Sequence, residues 1–133
     1  MIAKSESFAA LRLGWVLTAL VTLALAADGL FSLLGPRLAP DALRPMMEEG
    51  GYRLEQATTL GTIMLLAAIV YVIPRTAVLG AILVTGFAGG AIATEVRIGG
   101  TPWEWVSVAI GVLAWGGLYL RDSRLRVLLP LRS

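Results

Sequence analysis

The feature that most constrains this chain is the stretch Pro74–Arg97. No residue from Thr76 to Thr94 carries a charge, and Arg75 closes one end of the run while Glu95 and Arg97 close the other. An apolar segment of about 20 residues is what crossing the hydrocarbon core of a bilayer requires. Gly80, Gly86, Gly89 and Gly90 lie within it, with alanines between them. Small residues let another helix approach closely, so these glycines are expected to serve helix packing. The acid and base at the far end stand where charge is expensive.

Three more apolar segments accompany it, giving spans at about 13–34, 54–73, 76–96 and 103–120. The first carries Asp28 near its far end, and Ala24-Leu25-Ala26 within it resembles a signal-peptide cleavage site. The apolar run continues through Leu30-Phe31-Ser32-Leu33-Leu34, which favours an uncleaved membrane helix. Gly35-Pro36 is expected to end that helix. Asp41–Glu49 has the composition of a short interfacial helix, begun by Pro40 or Asp41 and stopped by Gly50-Gly51. Tyr71 suits an interface, and Trp103, Trp105 and Tyr119 read as aromatic belts around the last span. Pro74-Arg75-Thr76 is a tight turn, which makes the second and third spans antiparallel neighbours. Pro102 opens the fourth helix.

The expected fold is therefore all-α: one domain of 133 residues built as a four-helix transmembrane bundle. Composition agrees, with 57% hydrophobic and 15% charged residues, where soluble proteins average roughly 25% charged. Lys4, Arg12, Arg75, Arg121, Arg124, Arg126 and Arg132 fall on one side of such a bundle. Only Arg37, Arg44, Arg53 and Arg97 fall on the other. The richer side is expected to be cytoplasmic, which puts both termini inside.

Several function classes are excluded. The chain has no cysteine and no histidine, so it makes no disulfide, thiolate site, histidine–metal site or serine–histidine triad. A net charge of +2 from scattered residues gives no nucleic-acid footprint. The glycines lack the strand–turn–helix context of a nucleotide fingerprint. No metal site and no cofactor motif is evident, and the lipid bilayer is the one partner that composition implies.

The candidate chemistry is a set of charges at the outer end of the bundle. Asp28 lies roughly 9 Å inside the end of its helix, at about 1.5 Å per residue. Antiparallel helices bring Glu95, Arg97 and Glu104 to the same side, with Trp103 beside them. Arg97 is expected to pair with Asp28 or Glu95, leaving a surplus carboxylate for ligand binding or proton handling. The alternative is that Glu95, Arg97 and Glu104 simply sit among lipid headgroups, with the two tryptophans as interfacial anchors. Helical phase at a helix end leaves the direction of Glu95 and Arg97 open. The basic tail is expected to meet anionic headgroups. The glycine face of the third span is expected to support a homo-oligomer as well as the monomer core.

From Gly51-Tyr52 onward the chain resembles the DoxX-like family of small bacterial four-helix membrane proteins. Tyr71–Leu83, Thr85–Gly99, Trp115–Asp122 and Leu128–Arg132 carry the resemblance, and the first helix fits more loosely. Members commonly have histidine where this chain has Glu95, so any role of that histidine falls to a carboxylate here. The wider group includes subunits linked to thiosulfate oxidation and quinone reduction. The resemblance thus implies an inner-membrane, multi-pass protein that binds a lipophilic molecule such as a quinone, or serves as accessory to a membrane redox partner. A small proton-coupled transporter or conduit is the competing reading, and a structural or assembly protein without a ligand is the third.

Overall fold

The computed structural model describes residues 2–100 and 102–128, with side chains over 8–100 and 102–125. The elements are α1 (Ile2–Leu38), α2 (Pro40–Glu49), α3 (Gln56–Val72), a 3-10 turn (Pro74–Thr76), α4 (Ala77–Arg97), α5 (Trp103–Arg121) and α6 (Ser123–Leu128). Three segments are long and apolar enough to cross a membrane: Phe8–Leu38, Pro74–Arg97 and Trp103–Arg121. Helix α3 is apolar too, with 17 residues.

The four long helices form a ring, in which α1 and α4 each pack against both α3 and α5. The ring is turned inside out relative to a water-soluble bundle. Leu20, Leu23, Leu66, Ile69, Ile82 and Val112 point outward, each more than half exposed. The interior is small and alanine-rich, with Ala67, Ala68, Ala81 and Ala114 packed around Val21, Val84 and Leu118. Short side chains allow close helix approach, and close approach is what holds helices together where lipid removes the hydrophobic incentive to pair.

The closest approaches lie at glycines, and they are not all the expected ones. A Cβ on Gly14 would lie 2.9 Å from the Gly117 carbonyl oxygen, where α1 meets α5. One on Gly61 would lie 2.6 Å from the Gly29 carbonyl oxygen, where α1 meets α3. One on Gly80 would overlap the Tyr71 backbone across the α3–α4 hairpin. Gly86, Gly89 and Gly90 meet nothing within 4 Å, so within the monomer these three hold no helix together. They lie on the outward face of α4.

Two further expectations are corrected. Helix α1 does not stop at Gly35-Pro36 but runs on to Leu38 with Pro36 inside it. Gly35 serves close packing instead of a turn, because a Cβ there would meet Leu43 Cδ2 at 2.7 Å. Tyr71 is no interfacial anchor. It is fully buried, and its hydroxyl donates to the Ala114 carbonyl of α5 at 2.7 Å. Arg121 stacks over both Trp15 and Tyr71 and donates to the Tyr71 carbonyl at 2.7 Å, fastening α1, α3 and α5 at that end.

Helix α2 has Pro40 at its first turn and ends at Gly50, followed by Gly51 at φ +83°. Leu43 and Met47 bury its inner face against Ala57, while Asp41, Arg44, Glu48 and Glu49 stay exposed. At the other end, Leu125 of α6 is buried in the main core. Asp122 accepts hydrogen bonds from the Arg124 backbone N–H and guanidinium, which holds its carboxyl below the usual range. Of the cations counted for orientation, the side chains of Lys4, Arg126 and Arg132 lie outside those described, as does the resemblance beyond Leu128.

Candidate functional site

The glycine contacts mark where the bundle is most tightly closed. Helix α1 is drawn onto α5 near Gly14 and onto α3 near Gly29. A gap lined by α1, α4 and α5 lies towards the end of the bundle away from Gly14. That gap is a pocket of about 430 Å³.

Ala24, Leu25 and Asp28 of α1 line one wall, and Val84, Phe87, Ala88, Ala91 and Glu95 of α4 line another. Helix α5 contributes Trp103, Val106, Ser107 and Ile110. Met64 of α3 and Met46 of α2 complete the lining. The spacing along α4 follows from the helix repeat. Val84, then Phe87 and Ala88 side by side, then Ala91 and Glu95 follow at steps of three or four residues and share one face. The outward glycines Gly86, Gly89 and Gly90 fall between them.

Asp28, Glu95 and Trp103 all line this pocket, with Asp28 deeper in the bundle than Glu95 because α1 runs on to Leu38. Arg97 and Glu104 do not join them. The Arg97 guanidinium lies against Gly51 and donates to the Gly50 carbonyl. Two residues beyond Glu95 on α4, it falls on a different side of the helix. The Tyr52 hydroxyl and Thr94 Oγ1 are 3.0 Å apart beside it, so the segment after α2 is tied to the end of α4 at two points. Glu104 stands in the first turn of α5 with its carboxylate by Gly100, where a negative charge complements the helix dipole. Trp105 is 70% exposed and lines no part of the pocket, as an interfacial anchor would be.

Ser107, Phe87, Met46 and Met64 were not legible as site residues. Each is an ordinary member of an apolar or polar run, and only its place on the pocket side distinguishes it. Trp115 also has a specific partner, donating from Nε1 to Thr85 Oγ1 at 2.6 Å between α5 and α4. Thr62 and Thr85 bond back to their own helices, at the Thr58 and Ala81 carbonyls.

Compared with known families, the chain matches the model of the DoxX-like family over residues 16–117. It belongs to the DoxX-like family. Together with its apolar helices, this makes it a DoxX-like integral membrane protein. The match begins at Val16, inside α1, so the relationship extends further back than the resemblance read from Gly51 onward. Every residue lining the pocket, from Ala24 to Ile110, falls within the DoxX-like segment. Neither the curated proteins nor the solved structures searched returned a match.

Proposed function

We propose that this DoxX-like protein is a membrane-embedded binding subunit for a lipophilic molecule, held in the pocket between α1, α4 and α5. The observation that carries this reading is that Asp28 and Glu95, far apart in sequence, line a single pocket whose other walls are mostly apolar. Apolar cavities with a few convergent polar groups, at about 300–1,000 Å³, are the usual form of small-molecule sites. Carboxylates in a membrane bundle face its interior and mark ligand or proton paths. The family relationship puts a quinone among the candidate ligands and a membrane redox protein among the candidate partners.

The accompanying topology has four spans, with α3 as the fourth and both termini cytoplasmic in a bacterial inner membrane. At roughly 26 Å, α3 reaches the lower end of spanning lengths. The seven lysines and arginines on the terminal side, against four on the other, support the orientation. Self-association through the outward face of α4 belongs to the same proposal. The open positions of Gly86, Gly89 and Gly90 support it.

Native mass spectrometry of protein extracted in minimal detergent tests the binding role. Wild type should retain a small molecule. Ala91→Trp, which fills the pocket, should lose it while keeping its fold. A retained molecule that survives Ala91→Trp would place binding elsewhere and defeat the proposal.

A further inference from the structure

The depth of the pocket in the membrane narrows what can occupy it, on the reading that it is a ligand site. Met64 is the middle residue of α3, and Phe87 is the middle residue of α4. Leu23 is the middle of the apolar segment Phe8–Leu38, so Ala24 and Leu25 lie next to that level on α1. One end of the pocket therefore stands at the centre of the bilayer. Asp28, also on α1, is roughly 7.5 Å from that level at about 1.5 Å per residue. The hydrocarbon extends about 15 Å to either side of the centre. At this depth the surroundings of the bundle are lipid chains, not water.

The walls of the pocket differ in exposure. Leu25, Met64, Val84 and Ala88 are buried, Ala88 to 7%. Ala24 and Asp28 on α1, and Trp103 and Val106 on α5, are exposed, Val106 at 45%. These rows border the lipid-facing surface, since Ala24 follows the outward Leu23 and Val106 follows the outward Trp105. Helices α1 and α5 are neighbours in the ring, and α4 stands across it from α1. Their seam is shut at Gly14, where a Cβ would meet the Gly117 carbonyl oxygen at 2.9 Å. Further along, the same two helices carry the exposed pocket residues, with the buried wall of α3 and α4 behind them. Apart from Asp28, Ser107, Glu95 and the Trp103 indole nitrogen, every side chain of the lining is apolar. A hydrocarbon chain entering from the bilayer leaves no hydrogen bond unmade. A polar molecule at the level of Met64 would give up its water without replacement.

We propose that a long hydrocarbon chain of a membrane lipid enters this pocket sideways from the bilayer, passing between Ala24 of α1 and Val106 of α5 and lying against Met64, Phe87 and Ala88. Phospholipid acyl chains and the prenyl tails of quinones share that chemistry.

Photo-crosslinking of the wild-type protein tests this, in nanodiscs of phosphatidylcholine carrying a diazirine in the middle of one acyl chain. Adducts are mapped to residues by mass spectrometry. Leu20, Leu66, Ile82 and Val112 face lipid and serve as the internal reference. Adducts are expected at Met64, Phe87 or Ala88 as well. In Ala24→Trp these inner adducts should fall roughly fivefold or more, because the added ring overfills the margin, while the reference adducts stay unchanged. Val106→Trp is the second variant should the first not fold. Displacement of the inner adducts by excess long-chain quinone would mark a prenyl tail as the preferred occupant, and their persistence an acyl chain; both carry the proposal. Wild-type adducts confined to the reference residues would overturn it, as would inner adducts that persist in both tryptophan variants. A small molecule retained in native mass spectrometry and lost in Ala91→Trp would then still leave the pocket as a ligand site. Absence of both signals would remove the lateral entry and the pocket reading together.

Discussion

Replacing Gly61 with alanine should destabilise the bundle, whereas the same change at Gly86 should not. The two sites share a residue type and an apolar helix but not a neighbourhood. A methyl group on Gly61 would lie 2.6 Å from the Gly29 carbonyl oxygen and 2.7 Å from the Leu33 nitrogen. Ordinary contact begins at 3.4 Å, so the shortfall is 0.8 Å. Both obstructing atoms are backbone, which has no rotamer to change, so α1 and α3 must part. A gap of that size forfeits a quarter to a half of the dispersion energy of the atoms facing it. Overpacking of this kind costs about 1–3 kcal/mol. Alanine also gains about 1 kcal/mol of helix propensity over glycine. That gain applies equally at Gly86, where nothing lies within 4 Å. Propensity therefore cancels between the variants, leaving the overlap as a difference of about 2 kcal/mol. Reversible unfolding in mixed micelles, followed by circular dichroism, measures both. Equal stabilities, or a larger loss from Gly86→Ala in the monomer, would show that the α1–α3 contact does not limit packing. A Gly86→Ala variant that is stable but self-associates less would support the proposed role of the outward face.

Two other perturbations probe the ties between helices. Tyr71→Phe removes the 2.7 Å bond to the Ala114 carbonyl without changing the packing, and should cost about 1 kcal/mol in the same unfolding assay. An unchanged midpoint would mean that the hydroxyl is not a net tie between α3 and α5. Arg97→Gln releases the Gly50 carbonyl, so amides of α2 should exchange faster with solvent while those of Ala67–Tyr71 keep their protection. Uniform loss of protection would indicate instead that Arg97 supports the whole bundle.

Charge-free length and small-residue content were enough to give an all-α membrane protein, because in a bilayer both are properties of the chain taken along its axis. Pro40, Gly50 and Gly51 likewise marked the ends of α2 locally, through proline's fixed φ and glycine's left-handed conformation. The outer position of Glu95 and Trp103 was legible from their distance to the helix ends, whereas Asp28 stands deeper because α1 runs on to Leu38. Rotation about each helix was not. A helix that meets lipid on one side and alanine on the other is apolar all round, so it lacks the polar face that reveals the phase of a soluble helix. Gly80 and Gly86 therefore read alike, although one is a contact point and the other is open. For the same reason Tyr71 read as an anchor. Only the packing of the helices decided which side chains line a pocket, because that pocket is walled by residues of α1, α4 and α5 far apart in sequence.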